Sequence, residues 1–204
     1  GPDLIRILSH MPAFSETTVV EQAFTDLNLS EEDLSDRRFS QCTFTNCRFD
    51  RVSFVASELL ECTFVHCELS LINLNKCDLR TVTFTDCKLV GIDFSKCVVS
   101  HFFEIGFTNS LIDTCNFSIL KMKGTKFLRS TLKETRFIES NLQEASFEDC
   151  DLEGTLFHQC HLEKATFKRA KNYAIDPLSN FLKGATFDLP EAVSLLKGLG
   201  INID

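Results

Sequence analysis

Between Thr135 and Phe167 a large apolar residue returns at every fifth position: Phe137, Leu142, Phe147, Leu152, Phe157, Leu162 and Phe167. Two residues before each stands a smaller one: Thr135, Ser140, Ala145, Cys150, Thr155, Cys160 and Ala165. A period of five matches neither the 3.6 residues of a helical turn nor the two of a strand. A chain that keeps it over this length has to turn a corner every five residues, and four such sides close a square coil. Each side then sends two residues inward, a large one that fills the axis and a small one that packs against the wall.

The same period extends toward the N-terminus. Its central residues are Phe24, Leu29, Leu34, Phe39, Phe44, Phe49, Phe54, Leu59, Phe64, Leu69, Leu74, Leu79, Phe84, Leu89, Phe94 and Val99. Gln22, Leu27 and Glu32 hold the small position in the first steps and make them ragged. After Val99 the phase shifts, and the centres become Phe102, Phe107, Ile112, Phe117, Met122, Phe127 and Leu132. Val98, Val99, Ser100, His101, Phe102, Phe103 and Glu104 therefore span a register break. It is either a missing pair of residues or an insertion of three, and predicts a kink or a small extruded loop.

All ten cysteines fall two residues before a central position. That placement predicts reduced, buried packing thiols rather than a disulfide framework. The C-x4-C spacings of Cys42/Cys47 and Cys62/Cys67, even with His66, His158 and His161, do not predict zinc, because the paired cysteines lie on different sides of the square. No Ser/His/Asp set, phosphate loop or paired-carboxylate cleft is present. The expectation is a protein that is not an enzyme and uses no cofactor or metal. No secretory signal or membrane-length apolar run is present, so a cytoplasmic protein is expected.

The domain organisation follows. Residues 1–10 read as a cloning remnant, with Met11 as the native start, and 11–23 as an N-terminal cap. Residues 24–169 form the repeat, and 170–204 a capping and dimerisation module. In that module Pro190 suits the first position of a helix over 190–197, stopped by Gly198 and Gly200. Ile201 and Ile203 alternate with polar residues as a short terminal strand would. Phe181, Leu189, Leu195, Leu196, Leu199 and Ile201 form a candidate dimer interface.

The triplets Cys77-Asp78-Leu79, Ser140-Asn141-Leu142 and Cys150-Asp151-Leu152 resemble the pentapeptide repeat family, over about residues 22–187. The resemblance implies an all-β solenoid, a right-handed quadrilateral β-helix with four pentapeptides per coil. The segment from Asn172 to Ile201 resembles the C-terminal module of the subset that protects DNA gyrase. That subset comprises the Qnr quinolone-resistance proteins, MfpA, the microcin B17 immunity protein and the albicidin-resistance protein. The albicidin-resistance type is nearest, sharing Cys67-Glu68-Leu69-Ser70-Leu71-Ile72. The resemblance implies a head-to-head homodimer that imitates duplex DNA toward gyrase, with topoisomerase IV as a second candidate, and counters a poison. It implies neither direct nucleic-acid binding nor membrane attachment. The alternative is a non-catalytic scaffold or interaction module unrelated to topoisomerases.

Charge refines the expectation. The formal net charge is −8. Coils about 4.8 Å apart would make a dimer of roughly 80 Å, with one net charge per about 5 Å against one per about 1.7 Å in DNA. Mimicry would then rest on shape and on particular acids. The stretch from Ile138 to Glu163 carries Glu139, Glu144, Glu148, Asp149, Asp151, Glu153 and Glu163 without a single Lys or Arg. Residues 20 apart stack on adjacent coils, where opposite charges pair favourably. Glu148 then meets Lys168, Asp149 lies between Arg129 and Arg169, Asp151 meets Lys171, Glu153 meets Lys133, and Glu144 meets Lys164. Glu139 and Glu163 are the least compensated. Before the break, Asp26-Asn46-His66-Asp86 and Asp33-Ser53-Asn73-Asp93 form columns without Lys or Arg. Their acids complete the candidate partner surface.

Overall fold

The computed structural model describes residues 16–204. The expected cloning remnant and residues 11–15 of the expected cap lie outside the described residues. The chain forms a parallel β-solenoid of about eight turns. Its first face stacks Thr18–Val20, Arg38–Ser40, Glu58–Leu60 and Asp78–Arg80. The second face runs through Ala23–Thr25, Thr43–Thr45, Thr63–Val65, Val82–Thr85, Ile105–Thr108 and Phe127–Leu128. The third runs from Arg48–Asp50 to Thr131–Lys133. On the fourth, isolated bridges such as Asp33↔Ser53 and Ser53↔Asn73 lead to the paired strands Arg136–Ile138 and Leu156–His158. The solenoid starts earlier than Phe24: Val19 is buried and pairs with Phe39, so part of the expected cap is already the first face.

Corners set the period. The residue two after most centres holds a positive φ, as in Asp26 (57°), Asn46 (52°), His66 (51°) and Asp86 (52°). A left-handed residue turns the strand once every five positions, and Asp and Asn tolerate it better than most. Ile119 adopts it as well, at φ 59°, which is unfavourable for a β-branched side chain.

The interior matches the sequence pattern. Phe39, Phe44, Phe49, Phe54, Phe64 and Phe94 are buried, as are all ten cysteines, whose thiols are free. Rings stack coil on coil, Phe44 on Phe64 at 5.0 Å and Phe137 on Phe157 at 5.0 Å. The exceptions are the ragged steps: Gln22 and Glu32 are exposed, while Leu27 is buried.

Pairing identifies the register break as an insertion. Thr63 pairs with Thr43 and Thr83 with Thr63, but Phe84 pairs with Phe107 and Leu89 with Ile112. Three residues have been added, and they form a loop rather than a kink, because Phe84 still stacks on Phe107 at 5.1 Å and 10°. Two assignments from the sequence change here. Val99 is 50 % exposed and Phe102 is 68 % exposed, whereas Phe103 is buried. A three-residue insertion leaves the chain free to choose which aromatic turns inward, and Phe103 does so. Phe102 instead lies under the Arg80 guanidinium, 5.3 Å from ring centroid to Cζ. Asp78 Oδ2 accepts from Arg80 Nε and Nη2 at 2.9 and 2.5 Å, and Thr81 Oγ1 donates to Glu104 Oε2 at 2.8 Å.

At the C-terminal end the helix is of the tighter 3-10 type and covers Glu191–Leu199. Pro190 precedes it, and Gly200 closes it with φ 68°, as a left-handed C-terminal glycine does. Ile201 and Ile203 are exposed and form no strand. Alternation alone cannot make a strand where no neighbouring strand pairs with it.

Candidate partner-binding surface

The acid run from Ile138 to Glu163 does not form one surface. Consecutive residues travel around the square, so Glu139 and Glu144 stand at corners, Glu148 on the second face, Asp149 at the next corner, Asp151 and Glu153 on the third face, and Glu163 on the first. Asp149 is held bidentately by Arg169, with Nε to Oδ1 at 2.6 Å and Nη2 to Oδ2 at 3.1 Å. This guanidinium keeps the Asp149 carboxyl below its ordinary range, although the side chain is exposed. Glu148 also reaches Arg169, at 3.8 Å, rather than Lys168. Asp151 pairs with Lys171 at 3.8 Å and accepts from Asn172 Nδ2 at 2.8 Å.

The remaining acids depart from simple stacking. Glu144 pairs with Lys123 at 3.4 Å, not with Lys164. Glu163 contacts His161 at 3.2 Å. Burial pushes the Glu163 carboxyl up, but its own backbone N–H, His161 and Gln143 together hold it below its ordinary value. Glu139 and Glu153 have no ion pair among the described residues, and Lys133 does not come within salt-bridge distance of Glu153.

The physical reason for this compensation is a layering of charge. The turn at 118–137 carries Lys121, Lys123, Lys126, Arg129, Lys133 and Arg136. The next turn, 138–157, carries Glu139, Glu144, Glu148, Asp149, Asp151 and Glu153, and the one beyond brings Lys164, Lys168, Arg169 and Lys171. An acidic ring thus lies between two basic ones, where adjacent strands bring opposite charges together.

The two columns before the break are also engaged, by neutral partners and by histidine. Asn46 Nδ2 donates to Asp26 Oδ1 at 2.5 Å, His66 lies 3.7 Å from Asp86, and Asn109 Nδ2 donates to Asp86. Asp33 accepts from the Ser35 N–H at 3.0 Å, and hydrogen bonds to Ser35 hold its carboxyl below the ordinary value. Asp93 accepts from the Ser95 N–H at 3.0 Å and from the Ser95 hydroxyl. Both are local turn caps.

The first turn differs, and the sequence reading did not single it out. Residues 16–36 hold Glu16, Glu21, Asp26, Glu31, Glu32, Asp33 and Asp36 with no Lys or Arg. Among the described residues only Glu31 of these acids forms an ion pair, with Arg51 at 3.6 Å. Glu21, Glu32 and Asp36 are exposed and make no side-chain hydrogen bond in the described structure. Counting charge turn by turn finds this ring.

The C-terminal end is apolar on its outside. Phe181, Leu189, Leu196, Leu199 and Ile201 are exposed, Leu189 to 80 %, while Leu195 packs against the core. Phe181 stacks on His161 at 4.6 Å.

Square coils built on a five-residue period define a class, and the comparisons name it. The family described as "Pentapeptide repeat region" matches residues 37–117 and 100–173, and the chain belongs to that family. Among solved structures it is similar to a trypsin-treated form of QnrB1, described as a plasmid-mediated fluoroquinolone resistance protein. The TM-score is 0.63 at 18 % identity, covering 92 % of this chain and 89 % of that one. It is also similar to HetL, a pentapeptide repeat protein involved in heterocyst differentiation regulation from Nostoc sp. Strain PCC 7120. There the TM-score is 0.50 at 14 % identity, with 91 % of each chain covered. At these identities the likeness is one of fold. No curated protein sequence matches the chain.

Proposed function

We propose that this protein binds a bacterial type II topoisomerase, DNA gyrase first and topoisomerase IV second, and protects it from a poison. Gyrase is singled out by the resemblance of the Asn172–Ile201 segment to the module of the gyrase-protecting subset, and the fold shared with the resistance protein QnrB1 agrees with it. The observation that carries the reading is the apolar outer surface of that segment. Phe181, Leu189, Leu196, Leu199 and Ile201 are each exposed there, and they are the residues a second copy would bury across a two-fold axis.

In such a dimer the acid ring of 138–157, paired except at Glu139 and Glu153, lies toward the centre, and the acids of 16–36, unpaired except at Glu31, lie toward the two ends of the described rod. The ends are therefore the part of the rod with most free negative charge for a basic surface of the topoisomerase. The compensated ring contributes shape more than charge. The protein works as a binding partner in the cytoplasm, without catalysis, cofactor or nucleic acid of its own.

The test is a gyrase supercoiling assay run with albicidin, microcin B17 and a quinolone in turn. Purified protein restores supercoiling in the presence of at least one of them. Failure with all three, together with a lysate pull-down that lacks gyrase subunits, sinks the reading in favour of a scaffold unrelated to topoisomerases.

A further inference from the structure

Five of the buried cysteines before the break are stacked in two columns along the rod axis. Cys42 lies one turn from Cys62, and Cys67 lies one turn from both Cys47 and Cys87. Their rotamers are fixed by a repeated pair of hydrogen bonds. Cys62 Sγ donates to the Phe39 and Leu60 carbonyls at 3.5 and 3.4 Å, as Cys42 Sγ does to Val19 and Ser40, both at 3.5 Å. Cys67 and Cys87 repeat it at 3.3–3.4 Å, and Cys47 at 3.7 and 3.4 Å. Side chains with the same rotamer on successive turns are separated by the turn translation. The rings of Phe44 and Phe64, two residues along the same strands, measure that step as 5.0 Å.

A sulfur–sulfur distance near this step is far beyond the ~2.05 Å of a disulfide. It is close to the ~4.6 Å of two metal–thiolate bonds of ~2.3 Å laid end to end. We propose that Cys42/Cys62, and Cys67 with Cys47 or Cys87, are two linear bis-thiolate sites for a soft divalent cation of the mercuric type.

Three features select that ion class. Thiolates prefer soft metals. Among the described residues no group of three or more metal-ligating side chains converges, so ions that need four ligands, such as zinc, find none. Two thiols and one divalent cation give a neutral S–M–S unit and release two protons to solvent, with no change of oxidation state. A monovalent cation would leave a net negative charge in the apolar core, which is unfavourable. Losing the thiol protons is tolerable for the strand carbonyls, because Ser40 O and Leu60 O also accept from the Glu21 and Gln41 N–H groups.

The experiment is titration of the full chain with mercuric chloride, read by X-ray absorption for sulfur number and distance and by equilibrium dialysis for stoichiometry. Wild-type protein shows mercury with two sulfurs at about 2.3 Å. Cys42→Ala and Cys67→Ala each lose one equivalent and their combination loses two. Both variants keep the fold, since Ala145 and Ala165 hold the position of Cys42 on later turns and Ala170 that of Cys67; circular dichroism checks it. Unchanged stoichiometry in the variants, a three- or four-sulfur shell, or mercury that bridges two chains overturns the proposal. Cys77 and Cys97, untouched by either variant, cancel from the difference.

Discussion

The turns before the break and the turns after it share one period but are held together differently. After the break the large positions of the second and fourth faces are filled by phenylalanine without interruption. Phe107, Phe127, Phe147, Phe167 and Phe187 make one stack at 4.8–5.1 Å, and Phe117, Phe137 and Phe157 make another at 5.0–5.2 Å. The two stacks meet edge to face, as at Phe137 and Phe147. Before the break the fourth face alternates Leu34, Phe54, Leu74 and Phe94, so Phe54 has no ring directly above or below. Outside, the contrast runs the same way: acids after the break are layered between bases, while the acids of the first described turn, Glu31 apart, form no ion pair among the described residues. Regular layering thus tightens the C-terminal half and leaves free charge at the other end.

The largest effect expected from this contrast is in the core. Phe137→Ala, at a fully buried ring, should cost about 3–5 kcal/mol. Phe54→Ala removes a ring as deeply buried but without stacked partners. It should cost about 1 kcal/mol less, the worth of the lost aromatic geometry. Denaturant melts of both variants decide it, and equal losses would show that ring stacking adds nothing to burial.

Next comes the junction. Phe103→Ala should destabilise by about 2–4 kcal/mol. Phe102→Ala, which removes only an exposed ring under Arg80, should cost about 1 kcal/mol or less. The reverse order would return Phe102 to the inward position that simple counting by fives assigns to it.

That junction marks where the sequence stops being legible. A five-residue period fits neither helix nor strand and calls for a corner every five residues, and it places every cysteine. It could not choose between a deletion of two and an insertion of three, since both give the same phase. Nor could it choose between two adjacent phenylalanines. Stacking by 20 found Asp149 with Arg169 and Asp151 with Lys171, but long side chains reach one residue sideways. Hence Glu144 meets Lys123 and Glu148 meets Arg169. The free acids of the first turn escape a search for uninterrupted acid runs or for columns 20 residues apart, because they are spread around one turn. The terminal strand was overread because alternation says nothing about a pairing partner.

The charge contrast is tested by reversal. Glu21→Lys/Glu32→Lys/Asp36→Lys should weaken binding to gyrase about tenfold, or about 1.4 kcal/mol. Glu148→Lys/Asp149→Lys should change it several-fold less, because those acids are already neutralised by Arg169. Affinity measured at two salt concentrations separates the two, with the steeper salt dependence belonging to wild type over the first variant. A larger loss from the second variant would move the contact to the compensated ring.

A smaller effect is expected at a corner. Ile119 takes the left-handed conformation that Asp26 and Asn46 occupy more easily. Its side chain is exposed, so Ile119→Asn forfeits little burial. The variant should gain about 0.5–1 kcal/mol, part of the ~1–2 kcal/mol that an L-residue loses in this region. A variant with a lower melting temperature would mean that Ile119 packs against its neighbours more than its exposure indicates.

The smallest effect concerns the layered charges themselves and is read as pH dependence. Arg169 holds the folded Asp149 carboxyl below its ordinary value, while in the unfolded chain an aspartate titrates near ~3.9. A lowered folded pKa means that the unfolded state takes up the proton first. The stabilisation is therefore complete above about pH 4–5 and is lost as pH falls through the folded value. Between pH 5 and 8 wild type and Asp149→Asn should differ by a constant, small amount, as suits an exposed pair. Below pH 4 the two melting curves should converge. Curves that instead diverge on acidification would show that Asp149 is not the acid that Arg169 stabilises, and that the layering owes its cohesion to Glu148.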